Sequence, residues 1–156
     1  MKMNDREVHA WLDHWAQAIR NGDFAAGRSM FSEDVVAFGT VAGAVSGIDA
    51  LMTQQWERVW PRTTGFTFGP PLVLAMNDDI AVVAVEWRSE GRTDSGNYDR
   101  KGRATLVLRS IDDNLLCTHS HFSMVPGTVA LRDESGGMEA PLSRHQSQLT
   151  ASGPAR

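Results

Sequence analysis

Gly102 to Pro126 reads GRATLVLRSIDDNLLCTHSHFSMVP. Two apolar runs, Arg103 to Ile111 and Leu115 to Val125, flank Asp112-Asp113-Asn114, a composition suited to a hairpin turn. The arms are rich in the residues that strands prefer. In the second arm His119, His121 and Ser123 fall at every other position, and side chains two apart on a strand share a face. The strand therefore presents two imidazoles and a hydroxyl together, either into a pocket or out to water.

Upstream, Phe66 and Phe68, Leu72 to Met76 and Ile80 to Ser89 read as further strands, with Asn77-Asp78-Asp79 as a second hairpin turn and Pro70-Pro71 as a bend or bulge. Glu90 to Lys101 is polar, contains Gly91 and Gly96, and reads as a long, mobile connection. Before Phe66 the period is helical. Asn4 with Glu7 forms a capping pair, Val8, Trp11, Leu12, Trp15 and Ile19 share a face, and Asn21-Gly22 ends the helix. A short helix over Phe24 to Phe31 follows, then an extended Val35 to Thr40. A third helix starting at Ser46 or Gly47 carries Ile48, Leu51, Gln55, Trp56, Val59 and Trp60 until Pro61 stops it. Helices first and antiparallel strands afterwards predict an α+β domain in which a curved sheet wraps three N-terminal helices and leaves a pocket.

The chain has 156 residues, enough for one core. Fifteen Lys and Arg against 19 Asp and Glu give a net charge of −4, with no basic run to follow a phosphate backbone, so nucleic acid is not an expected partner. No apolar run reaches the ~20 residues of a membrane span, and the charged, amphipathic start lacks a secretory signal's apolar stretch. A cytoplasmic location is expected. Cys117 is the only cysteine, which rules out an internal disulfide, and its apolar strand makes it a small core residue. After Pro126-Gly127 Ser, Gly and Pro dominate. This divides the chain into a domain over 5–127 and an irregular or partly disordered tail over 128–156, where Leu131, Met138, Leu142 and Leu149 can pin the tail to the domain or to a partner subunit.

Chemistry concentrates on a few positions. Imidazoles move protons near neutral pH, and a positioned general base is worth about 10²- to 10⁴-fold in rate. His121, oriented by His119 or Ser123 and assisted by Glu86, is the candidate acid or base. Alternatively, the histidines are structural, with ring nitrogens bonded to Ser123, Thr105 or nearby backbone. A zinc ion on His119 and His121 would need a third ligand, from Glu86, Asp99 or His145, and no second close cluster supplies one, so no metal and no cofactor is assigned. Glu86 and Arg88 share one face of their strand while Ala81, Val83, Val85 and Trp87 share the other. Glu86 with Arg103 forms either polar pocket machinery, where Arg103 can also hold a carboxylate, or a wet cross-strand pair on the outside. Trp56 and Trp60, with Trp15 and Phe38, can wall a pocket for a flat apolar ligand, and Tyr98 is a candidate lid donor. His9 and His14 are surface or rim residues of the first helix.

NGDFAAGRSMFSEDVVAFG after the amphipathic helix, QWERVWP, GRATLVLR and HSHFSMVP together resemble the nuclear-transport-factor-2-like superfamily, in its SnoaL-like and ketosteroid-isomerase-like branch, over about Asp5 to Pro126. The resemblance implies a cone-shaped α+β fold, a pocket between sheet and helices, and a homodimer through the sheet's outer face. Its members include isomerases, dehydratases, cyclases and noncatalytic assembly modules. Matched to the steroid isomerases, Trp15 stands where a tyrosine binds the oxyanion, Val36-Ala37-Phe38-Gly39-Thr40 lacks the catalytic aspartate, and the strand from Arg103 to Ile111 lacks the second acid. The expectation is a pocket protein for a small apolar cyclic or polyketide-like molecule. It acts either as a cofactor-independent isomerase, dehydratase or cyclase using histidine, or as a noncatalytic ligand-binding or dimeric assembly module.

Overall fold

The computed structural model describes residues 3–126. The tail over 128–156, with Leu131, Met138, Leu142, His145 and Leu149, lies outside the described residues. Helix α1 (Asp5–Asn21) begins at a capping box in which the Asn4 side chain accepts from the Glu7 amide and the Glu7 carboxylate accepts from the Asn4 amide. It ends where Gly22 takes a left-handed φ of 62°. Its buried face, Val8, Trp11, Leu12, Trp15 and Ile19, is the one the spacing predicts. Trp11 Nε1 donates to the Leu115 carbonyl at 3.1 Å and Arg20 to the Phe66 carbonyl at 2.9 Å, tying the helix across the sheet.

Helix α2 (Phe24–Ser29) starts where the Asp23 side chain accepts from the Ala26 amide at 2.9 Å. Strands β1 (Phe31–Phe38) and β2 (Ala44–Ser46) then intervene before the third helical segment. The extended stretch expected over Val35 to Thr40 falls largely in β1, which lies inside the sheet and pairs in parallel with the last strand, the one departure from the antiparallel pairing expected among the described residues. The third segment runs from α3 (Ile48–Leu51) through a π-helical turn (Met52–Trp56) into α4 (Glu57–Val59) and a 3₁₀ turn (Trp60–Arg62). The widened turn buries Gln55 and Trp56, and such turns recur at functional positions.

Strands β3 (Thr63–Phe68), β4 (Leu72–Met76), β5 (Ile80–Thr93), β6 (Gly96–Ile111) and β7 (Asn114–Met124) complete one curved sheet in the order β2-β1-β7-β6-β5-β3, with β4 also on β5. Among the described residues, the β1–β7 pair is parallel and the others antiparallel. Glu90 to Lys101 is not a mobile connection: the β5–β6 ladder runs without a break from Ile80↔Arg109 to Thr93↔Gly96. Its polar residues mostly occupy the exposed face and end of a long hairpin, where backbone pairing needs no apolar side chains. Inward alternation persists through Ser89 and Gly91 on β5 and through Arg100 and Gly102 on β6, all buried.

Helices and the inner sheet face enclose the core, which includes Val83, Val85, Trp87, Ala104, Leu106, Leu108 and Cys117. Cys117 is fully buried as expected, and burial pushes its thiol far above the ordinary cysteine range, with a backbone hydrogen bond at His119 acting in the opposite sense. A β-bulge interrupts β7: Leu108 pairs with Cys117, but the next residue back, Val107, pairs with His119, so Thr118 is extra. Among the described residues no helix is long and apolar enough to cross a membrane.

Candidate functional site

A cavity of about 50 Å³ lies between α1, the third helical segment and the inner sheet face. Its walls are aromatic. Trp56 and Trp60 stack with centroids 4.6 Å apart, Trp15 meets Phe122 edge-on at 5.4 Å, and Phe66 stacks on Trp87 at 6.0 Å. Spaces of about 150 Å³ are known to take benzene, so this cavity at rest suits a water or a small polar group.

Its polar lining comes from Thr40, Gln55, Thr63, Arg100 and Ser120. Gln55, buried within the π-helical turn, accepts from the Val41 and Ala42 amides at 2.9 and 2.8 Å and donates to Thr40 Oγ1 at 3.0 Å. One side chain thus fixes the β1–β2 loop that supplies part of the cavity wall. Arg100 is 8% exposed, sits 5.4 Å from the Trp87 ring centroid, and reaches Ser89 Oγ at 3.5 Å and Thr40 Oγ1 at 3.4 Å. Burial lowers its pKa, with Tyr98 acting in the opposite sense. Trp15 Nε1 is buried and has no acceptor among the described residues.

The sequence-predicted residues divide between the two faces of the sheet. Trp15, Trp56 and Trp60 line the cavity, and Phe38 contributes at its edge. His119, His121, Ser123, Glu86 and Arg103 do not. The extra residue Thr118 reverses the alternation after Cys117, so Ser120 and Phe122 turn inward and the histidines turn outward. Of the two settings the sequence left open, into a pocket or out to water, the histidines take the outward one, which leaves His121 and His119 away from the cavity. Glu86, Arg103, His121 and Ser123 do come together, but in an open outer groove of about 610 Å³ shared with Pro70 and Leu72. There Glu86 stands opposite Arg103, and Arg103 opposite Ser123. His119 Nδ1 lies 2.8 Å from the Val36 carbonyl oxygen and donates to it when protonated there; Phe38 packs edge-on against His119 at 5.7 Å and His121 at 5.1 Å. Tyr98 is half-exposed, and its ring lies against Gly91. Among the described residues no three His, Cys, Asp or Glu side chains converge on a point that could hold a metal.

Arg100, Thr40 and Ser120 were not singled out from the sequence, and Gln55 entered it only as one residue of the third helix's face. A signal for Arg100 existed: extending the inward alternation of Leu108, Leu106 and Ala104 backwards reaches Gly102 and then Arg100.

A curved open sheet with helices on its inner face and a cavity between them defines a pocket-bearing α+β domain. The SnoaL-like domain family matches residues 8–127, and the chain belongs to that family. No curated protein matches the chain. Among solved structures it is similar to a Xanthomonas campestris protein described as a calcium/calmodulin dependent protein kinase II association domain, with 23% identity, 80% of this chain and 89% of that one covered, and a TM-score of 0.71. A nuclear-transport-factor-2-like protein of unknown function from Pseudomonas putida KT2440 shares 24% identity over 89% of this chain and 95% of its own, with a TM-score of 0.64. A ketosteroid isomerase-like protein from Erwinia carotovora atroseptica shares 15% identity over 80% of this chain and 100% of its own, with a TM-score of 0.68. At these identities the likeness concerns the fold.

Proposed function

We propose that this chain is a noncatalytic pocket protein that takes a small, flat, apolar-bodied molecule into the aromatic cavity. The observation that carries this reading is the lining itself. Seven aromatic residues, Trp15, Phe38, Trp56, Trp60, Phe66, Trp87 and Phe122, surround a few hydrogen-bonding groups, and among the described residues no carboxylate or imidazole lines the space. Isomerisation, dehydration or cyclisation by acid/base chemistry needs a proton-transfer group within hydrogen-bond reach of the substrate. The candidates for that role, His121, His119 and Glu86, lie on the far side of the sheet. Entry of a ring requires the cavity to widen, and the β1–β2 loop, held to the rest of the wall by Gln55 and by the Arg100 contact with Thr40, is the part we assign to yield.

Titration of the intrinsic tryptophan fluorescence with a panel of neutral aromatic compounds tests this. Saturable quenching is expected, weakened about tenfold by Trp56→Phe and unaffected by His121→Ala. Absence of any saturable response, or its loss in His121→Ala, would overturn the reading.

The outer sheet face supports a second element, self-association as a homodimer. Val36 is 43% exposed, Phe38 39% and Leu72 66%, beside the charged pair of Glu86 and Arg103, and the Xanthomonas protein of similar fold is described as an association domain. Sedimentation should give a dimer for the parent chain and at least about tenfold weaker association for Arg103→Glu, which places a like charge opposite Glu86. A parent chain that stays monomeric, or association unchanged in the variant, would remove this face as the interface.

A further inference from the structure

We propose that the ligand of the aromatic cavity is an organic carboxylate, its anionic end received by the Arg100 guanidinium and its apolar body by the surrounding indoles. This rests on the pocket reading above and adds the charge of the ligand. Arg100 is more than nine-tenths buried and lines the cavity. A guanidinium carries five N–H donors in a planar fork that fits a carboxylate with two parallel bonds. Here its protein contacts are two hydroxyls at 3.4 and 3.5 Å, at the outer limit of hydrogen bonding, and the face of Trp87.

Among the described residues no acid neutralises it. Among the described residues the arginine ion pairs are those of Arg28 with Glu33 and Asp49. Glu90 and Asp99 are near Arg100 in the ladder, but they pair with each other and are exposed on the opposite face. Tyr98, on the Arg100 side of β6, is half-exposed and packs on Gly91. A buried charge without a counter-charge is unfavourable, and an anion that enters removes the penalty.

Two further donors point the same way. Trp15 Nε1 has no acceptor, and the hydroxyl of Ser120, 3% exposed, makes no hydrogen bond among the described residues. Burial lowers the Arg100 pKa, yet arginine keeps its proton throughout the neutral range. The cavity is therefore cationic and donor-rich, with room at rest for a carboxylate-sized group and a wall that must yield for the rest of the ligand.

Benzoate and benzamide have nearly the same shape and differ in charge, so their binding is compared by calorimetry on the full chain, on Arg100→Met and on Arg100→Lys. The parent chain should bind benzoate about 10- to 100-fold more tightly than benzamide, the range expected for charged hydrogen bonds. Arg100→Met should bring the two ligands within about threefold of each other. Arg100→Lys, which keeps the charge and loses the fork, should lose at least about fivefold of the preference, and it decides the matter if Arg100→Met does not fold. Equal binding of both ligands by the parent chain, or a preference that survives in the variants, overturns the carboxylate assignment and leaves the pocket standing. Benzoate failing where neutral aromatics bind does the same. Failure of every probe overturns the pocket as well.

Discussion

Replacing Trp15 by alanine should lower the unfolding free energy by about 3–5 kcal/mol, the usual cost of deleting a buried tryptophan side chain. Trp15 is 2% exposed, and its ring meets those of Trp11, Phe31, Trp56, Phe68 and Phe122 at centroid distances of 4.8–6.4 Å. These partners come from α1, β1, the π-helical turn, β3 and β7, so no single element can shift to fill the space. Deletion also opens the cavity, and a cavity that cannot collapse marks the upper part of the cost range. Trp15→Phe should cost much less, since it keeps a ring and removes an indole N–H that has no acceptor. Urea unfolding of both variants measures the difference. A loss below about 1.5 kcal/mol for the alanine variant would show that Trp15 is not the centre of the core.

Gly102→Ala should destabilise by about 3 kcal/mol, at the severe end of overpacking. A methyl group at this position would run into the backbone carbonyl of Ser123 on the adjacent strand and into the Trp87 indole opposite. The indole is itself held by its N–H donating to the Arg103 carbonyl at 3.3 Å. The carbonyl belongs to the β6–β7 ladder, so relief requires the strands to separate. Gly91→Ala is the control. There the obstacle is the half-exposed Tyr98 ring, which can swing into solvent, so the cost should stay below about 1 kcal/mol. Equal thermal shifts in the two variants would sink the argument, because they differ in whether backbone or a movable side chain blocks the methyl.

The fold was legible because its signals are local. The capping pair Asn4 and Glu7, the stop at Asn21-Gly22, and the turns at Asn77-Asp78-Asp79 and Asp112-Asp113-Asn114 each mark a boundary by its own chemistry. The parallel pairing of β1 with β7 joins segments too far apart in the chain for any local pattern to announce. The aromatic part of the cavity was legible too, since Trp15, Trp56 and Trp60 follow helical spacing. Its polar part was not. Arg100 sits where a long hairpin looks like a loop by composition, and Gln55, although helical spacing set it beside Ile48 and Leu51, bonds to a loop that no local pattern announces. The facing of the histidines was not legible: period two puts His119, His121 and Ser123 on one face without saying which, and the bulge at Thr118 that turns the two imidazoles outward has no mark in the composition.

That bulge gives the architecture an economical way to change its chemistry. With Thr118 present, a serine and a phenylalanine complete the interior and both imidazoles face outward. In a descendant lacking that one amino acid, the strand would offer its imidazoles to the ligand instead. A single codon gained or lost, with every other side chain unaltered, can thus separate an interior lined by aromatic rings from one equipped to transfer protons.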